Sequence, residues 1–286
     1  MTKIVVTGAS GRLGREVTRD LLDHGHEVRA VDAVVADVDP RVRVLQTELT
    51  DYGQTIDALA GFEVVVHLAN IPAPELRPAA LTFAANTVAN ANVFLGAAQV
   101  GMSRVVWASS ETTLGLPFDT PPDYAPLDEA HYPHPQSTYS LSKVVSETAA
   151  DEITKWSGIP MLALRYSNIL GPADYQQDFP SYWGDASLRK WNLWGYIDVR
   201  DAASATRLAL TAPVTGTDAF VIAAADTVMT RPSADLLAEV FPGVPVRGEL
   251  SGHQTLLAID HAREVLGWVP EHRWRDHVGE DGTPIG

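Results

Sequence analysis

Short apolar runs alternate with stretches of helical periodicity through the first two-thirds of the chain, the pattern of a parallel α/β sheet. Lys3–Thr7 is a β-branched run and reads as a buried first strand. Arg12–His24 reads as the helix that follows, ending near Gly25. Glu27–Asp32 and Val42–Gln46 are predicted as the second and third strands, and Asp51–Ala60 as a short helix. Val64–Leu68 is predicted as the fourth strand, Pro78–Val100 as a long Ala-rich helix closed by Gly101, and Arg104–Ser109 as the fifth strand. Thr138–Trp156 reads as a second long helix and Met161–Arg165 as a sixth strand. After Gly171 the texture changes: residues 171–196 are rich in Tyr, Trp, Pro and Asp and show little periodicity. Asp198–Thr211 returns to helix, Ala219–Ala223 to strand and Arg231–Phe241 to helix. The expected organisation is a main domain over residues 1–170, rejoined by 198–223. Residues 171–197 and 224–286 are expected to form a small second lobe.

The most informative loop lies directly after the first strand. Thr7-Gly8-Ala9-Ser10-Gly11-Arg12-Leu13-Gly14 opens the first helix. Its glycines permit a tight turn and a close backbone approach to a pyrophosphate, and a helix N-terminus offers free amides to the phosphates. Asp32 ends the second strand about twenty residues on, where a carboxylate binds the ribose hydroxyls of NAD and repels the 2′-phosphate of NADP. This combination predicts a Rossmann-type doubly wound parallel sheet with NAD as cofactor. Gly8, Ser10, Gly11, Arg12, Leu13, Gly14 and Asp32 are its candidate ligands.

Further along, Tyr139-Ser140-Leu141-Ser142-Lys143 sets a tyrosine and a lysine one turn apart on one helix face. A tyrosine is a poor base near neutral pH because its ordinary pKa is about 10, and a neighbouring ammonium favours the phenolate. The pair is suited to exchanging a proton with an alcohol or carbonyl. Lysine is scarce: only Lys3, Lys143, Lys155 and Lys190 occur.

These motifs, in this order, resemble the extended short-chain dehydrogenase/reductase family, in its NAD-dependent epimerase/dehydratase branch, to about Ala203. Glu48-Leu49 sits where the family has Asp-Leu or Asp-Ile at the adenine. His67-Leu68-Ala69 is similar to the fourth-strand motif that lines the cofactor, and Asn86-Thr87-Val88-Ala89-Asn90-Ala91-Asn92 to the helix motif whose first asparagine is structural. Trp107-Ala108-Ser109-Ser110-Glu111-Thr112-Thr113-Leu114-Gly115 resembles the strand and loop that carry the catalytic Ser or Thr, with Leu114 where many relatives have Tyr. Leu164-Arg165-Tyr166-Ser167-Asn168 is similar to the cofactor strand Leu-Arg-Tyr-x-Asn. Tyr196-Ile197-Asp198-Val199-Arg200-Asp201 resembles Tyr-Ile-His-Val-x-Asp, with Asp198 in place of the histidine. The resemblance implies a Ser110–Tyr139–Lys143 catalytic set. It adds Glu48, Leu49, Leu68, Ala69, Asn86, Tyr166 and Asn168, together with Tyr139 and Lys143, to the cofactor's surroundings.

The resemblance further implies hydride transfer between NAD and a sugar-type substrate. The shortness of the chain, Ser109-Ser110 and the aromatic segment 180–196 resemble the uronate dehydrogenases of that family. The first expectation is thus oxidation of a sugar or sugar acid. A nucleotide-sugar 4-epimerase and an NAD-binding regulatory protein without turnover are the alternatives. Thr112, Trp183 and Arg189 are the candidate substrate residues, since rings stack on sugar faces and a guanidinium meets a carboxylate or phosphate. As in many relatives, the helices Pro78–Val100 and Thr138–Trp156 are candidates for a four-helix homodimer interface.

Composition narrows this picture by exclusion. The formal net charge is −15, which argues against a nucleic-acid footprint and against an anionic membrane surface. No apolar run reads as a membrane span or a signal peptide. There is no cysteine, so disulfides, thiolate metal sites and a cysteine nucleophile are excluded, and the histidines show no metal-ligand spacing. A cytoplasmic location is expected.

Overall fold

The computed structural model describes residues 1–285 with the exception of Asp119 and Tyr132. Seven strands make one sheet. They are β1 (Lys3–Thr7), β2 (Glu27–Asp32), β3 (Val44–Gln46), β4 (Val64–His67), β5 (Arg104–Ser110), β6 (Met161–Tyr166) and, after the two-residue strands β7 (Ile169–Leu170) and β8 (Ile197–Asp198), β9 (Thr217–Ile222). The order across the sheet is β3-β2-β1-β4-β5-β6-β9. The pairs β1–β2, β1–β4, β2–β3 and β4–β5 are all parallel, with Ile4 opposite both Val28 and Val64. Strands covered on both faces need apolar side chains on both, which is why Ile4, Val5, Val6 and Val64–Val66 form unbroken runs and are all buried. Because β1 pairs with β2 on one side and β4 on the other, the order reverses there. The crevice at the carboxyl ends of such strands is where ligands bind in this architecture.

Two compact units divide the chain. The first holds residues 1–110, 137–164 and 203–219; the second holds 111–136, 165–202 and 220–286. In the first unit the helices are α1 (Arg12–Asp23), α2 (Tyr52–Leu59), α3 (Ala79–Val100) and α4 (Thr138–Ser157). Its core places Val93, Phe94 and Ala97 of α3 and Ala150 and Ile153 of α4 against Val5, Val65, Val105 and Trp107 of the sheet. Ser137 caps α4 by accepting from the Ser140 amide, Ser140 bonds back to the Ser137 amide, and Gly158 ends the helix at φ 77°. Those caps fix the start of the helix that carries Tyr139 and Lys143.

The second unit contains the β7–β8 pair, α5 (Pro172–Asp178), α7 (Ser233–Val240) and α8 (Asp260–Leu266). The helix α6 (Val199–Ala209) follows β8 directly. The aperiodic segment 171–196 is ordered by its aromatic residues. Tyr175, Phe179, Trp194 and Tyr196 are fully buried, and Phe179 packs edge-on against both Tyr196 and Trp274. None of the described helices is long and apolar enough to cross a membrane.

Candidate active site

Backbone contact explains the glycine loop. Gly8 has φ +69°, and a Cβ there would lie 2.6 Å from the Ala69 amide nitrogen, so the loop rests directly on the end of β4. A Cβ at Gly14 would lie 2.0 Å from the Gly8 carbonyl oxygen, so α1 can start this close to the turn only without a side chain. Gly11 is the N-cap of α1 and supplies no side-chain cap, and the first turn carries no acidic residue. The N-terminal amides and positive dipole end of the helix therefore suit a pyrophosphate. The Asp32 carboxylate receives the Ser10 amide at 3.0 Å and the Val34 amide at 3.0 Å, pinning the loop to the end of β2. Ser10 adds a bond from its hydroxyl to the Val34 carbonyl at 2.6 Å. Arg12 is exposed and Leu13 buried at the start of α1. These residues fit a dinucleotide.

The next positions line the same end of the sheet. Glu48 is exposed and folds onto Thr50, whereas Leu49 is buried. Leu68 and Ala69 receive weak contacts from Thr7, whose hydroxyl accepts their amides at 3.2 and 3.3 Å. Asn86 brackets Ile71 by accepting its amide at 2.8 Å and donating to its carbonyl at 3.1 Å, a structural role. His67 is fully buried between Thr7 Oγ1 (2.7 Å) and Asn90 Oδ1 (2.8 Å), and Asn90 continues to Ser146 Oγ (2.8 Å). Burial lowers the His67 pKa to about 3, so the ring stays neutral and ties β4, α3 and α4 together rather than carrying protons.

Ser110, Tyr139 and Lys143 all fall in the first unit, Ser110 at the end of β5 and the other two on α4, and all three are buried. Lys143 Nζ donates to the Ala108 carbonyl at 2.7 Å and lies 5.6 Å from the centre of the Tyr139 ring. Burial pushes its pKa down to about 7, with Glu147 opposing the shift. The next residue of the strand, Ser109, bonds Glu147 at 2.5 Å. An ammonium held in this way beside a phenol is chemically equipped to favour the phenolate.

The remaining predicted residues belong to the second unit. Thr112 sits in the 3-10 turn Glu111–Leu114, Tyr166 is buried on β6, and the Asn168 carbonyl accepts the Ile197 amide at 3.0 Å. The Trp183 ring nitrogen donates to the Val228 carbonyl at 2.9 Å, and its ring lies 5.3 Å from that of Trp274. Arg189 is 5% exposed and donates to the Gly195 carbonyl at 2.9 Å. Asp198, the residue in the histidine position, is fully buried and accepts from the Tyr175 hydroxyl and from Arg200, both at 2.7 Å. Sequence reasoning passed over Thr7, Asn90 and Ser146. Thr7 and Asn90 lay inside quoted motifs, but their pairing with His67 depends on contacts some sixty and twenty residues apart. Among the described residues, no group of three or more His, Asp or Glu side chains is placed to hold a metal.

A family model for the NAD dependent epimerase/dehydratase family matches residues 4–223. The UDP-glucose 4-epimerase of Corynebacterium glutamicum is 25% identical over 98% of this chain and 94% of its own length. Among solved structures, MoeE5 in complex with UDP-glucuronic acid and NAD superposes with a TM-score of 0.72 at 22% identity, covering 96% of this chain and 95% of that one. A mutated uronate dehydrogenase superposes with a TM-score of 0.70 at 22% identity, covering 96% and 83%. The likeness to these two structures shows the fold.

Proposed function

The chain belongs to the NAD dependent epimerase/dehydratase family, and on that premise we propose that it oxidises a sugar or sugar acid with NAD through Ser110, Tyr139 and Lys143. The observation that carries this reading is the buried Lys143 amine, fixed to the Ala108 carbonyl and 5.6 Å from the Tyr139 ring. Tyr139 takes the proton of the substrate hydroxyl, Ser110 orients that oxygen, and Lys143 favours the phenolate. Bound NAD supplies the hydride acceptor. The loop Gly8–Gly14, Asp32, Glu48, Leu49, Leu68, Ala69, Asn86, Tyr166 and Asn168 surround the cofactor. Residues 171–197 and 224–286 take the substrate, with Thr112, Trp183 and Arg189 as contacts.

The test is Tyr139→Phe assayed for NADH formation with a panel of free sugars, uronates and nucleotide sugars. Turnover falls by roughly 10²–10⁴, the scale of a lost acid/base group, while NAD affinity holds. Unchanged turnover refutes the assignment. Nucleotide-sugar 4-epimerisation is the second reading, favoured by the relative in Corynebacterium glutamicum. It predicts an interconverted sugar with no net NADH. An NAD-binding regulator without turnover predicts neither product.

We also propose that the protein acts as a homodimer. Leu81, Val88 and Leu95 repeat every seven residues along α3 and are 51%, 43% and 38% exposed, a stripe suited to a facing copy of the same helix. Val88→Lys should give a monomer in sedimentation; an unchanged mass, or a monomeric parent protein, refutes it.

A further inference from the structure

A cluster of polar side chains in the second unit has more hydrogen-bonding capacity than the protein uses. Glu111, Ser167, Arg189 and Asn192 are 3%, 3%, 5% and 0% exposed. Asn192 Nδ2 donates to Glu111 Oε1 at 3.2 Å and to the Gly195 carbonyl at 2.8 Å, which fixes the orientation of the amide. Arg189 Nη2 donates to the same carbonyl at 2.9 Å, and its guanidinium lies 4.9 Å from the centre of the Trp191 ring. Ser167 Oγ is close by, 3.0 Å from where a Cβ on Gly195 would stand. Four atoms in this group make no close hydrogen bond within the protein: Glu111 Oε2, Asn192 Oδ1, Arg189 Nε and Ser167 Oγ. The Ser167 hydroxyl and the Asn168 amide still favour the Glu111 carboxylate, and Tyr182 favours the Arg189 charge.

Buried polar atoms are nearly always satisfied, and a concentration of unsatisfied ones marks the place of a missing partner. The inventory defines that partner. Asn192 Oδ1 accepts only, Arg189 Nε donates only, the serine hydroxyl does either, and the Glu111 carboxyl accepts when ionised and also donates when protonated. A ligand must therefore both donate and accept, as a hydroxyl or an adjacent pair of hydroxyls does. A carboxylate offers no donor. It would leave Asn192 Oδ1 unpaired and set a second acid against an ionised Glu111. Burial already pushes the Glu111 pKa up to about 7, so an added anion meets a site that resists further negative charge.

We infer that Glu111, Ser167, Arg189 and Asn192 form a subsite for a neutral hydroxyl of the substrate, and that Glu111 sets a preference for a hydroxyl over a carboxylate there. The inference rests on the sugar-oxidoreductase reading above, and it places the selecting residue one peptide bond after Ser110. The hydroxyl belongs to the substrate; an ordered water offers the same chemistry and is the competing source.

The experiment compares matched pairs, glucose with glucuronate and galactose with galacturonate, free and as UDP conjugates, on the NAD-loaded protein. Binding is read by calorimetry and NADH formation by absorbance. Glu111→Gln keeps the shape but replaces an acceptor with an amide donor, and should shift the acid-to-neutral ratio at least tenfold toward the acid. Ser167→Ala should weaken the neutral sugar at least fivefold and leave the acid unchanged. NAD affinity and melting temperature serve as controls for folding. Ratios within twofold of the parent protein in both variants overturn the proposal. So does an absence of binding by every probe, or a sugar-bound structure in which the four atoms meet only water. Ratio shifts in binding without NADH or epimer formation uphold the subsite and refute the oxidoreductase reading. NADH formation with unmoved ratios does the reverse.

Discussion

Replacing Lys143 with methionine should make the cofactor-free protein more stable while disabling it. Burial lowers the Lys143 pKa from 10.5 to about 7, with Glu147 offsetting part of the effect. In the unfolded chain the same lysine is fully charged at pH 7. Each pH unit between the two values is worth about 1.4 kcal/mol, so at pH 7 housing this group costs the fold about 4 kcal/mol. Between pH 7 and 10.5 the unfolded chain holds the proton and the folded one does not, so stability rises with pH across that window. The penalty is fully present below pH 7 and gone above the unfolded value. Methionine follows the lysine stem without the charge, but it abandons the 2.7 Å bond to the Ala108 carbonyl. Leaving that carbonyl unpaired costs about 1–3 kcal/mol. The balance at pH 7 is a gain of about 1–3 kcal/mol, or roughly 2–6 °C in melting temperature for a chain of this size. Thermal melts of the NAD-free proteins at pH 7, 8, 9 and 10 are the assay, because other titrating groups cancel between variant and parent. The advantage should shrink as pH rises and reverse near pH 10. A less stable variant at pH 7, or a difference that ignores pH, refutes the argument.

Gly14→Ala places a Cβ 2.0 Å from the Gly8 carbonyl oxygen and 2.7 Å from Ala9 Cα, backbone atoms that cannot swing aside. A destabilisation of about 1–3 kcal/mol is expected, with at least tenfold weaker NAD binding; a titration matching the parent protein would show the loop to be slack. Asp32→Ala releases the Ser10 and Val34 amides and removes the negative charge at the end of β2. The ratio of kcat/KM for NAD over NADP should fall at least tenfold, and an unmoved ratio removes Asp32 from cofactor selection. Asp198→Asn weakens a buried acceptor shared by Tyr175 and Arg200. Urea melts should register a loss on the order of 3 kcal/mol, and a neutral result would mean that Arg200 finds another partner.

Much of the nucleotide-binding half was legible because its signals are local. β1, β4 and the Gly8–Gly14 loop announce themselves through continuous apolar runs and a glycine spacing that the backbone itself requires. α4 was readable for the same reason, down to the shared face of Tyr139 and Lys143. Boundaries moved by a residue or two where caps decided them: Pro78 stands outside α3 as its cap, and β5 runs on to Ser110. The aromatic segment was not readable. Tyr175, Phe179, Trp194 and Tyr196 lie in the interior of the second unit, which their aperiodic spacing did not indicate. Trp183 reaches Trp274, and Tyr175 reaches His277, partners about a hundred residues away.

The local order of residues thus determined the sheet, the cofactor loop and the tyrosine–lysine face, because each depends on steric rules acting within a few residues of chain. Tertiary structure decided the charge states and the inward polar groups. Lys143 reads as an ordinary cation and Glu111 as an ordinary surface acid until packing removes their water. Desolvation is a property of everything folded around a side chain, and no stretch of neighbouring residues contains it.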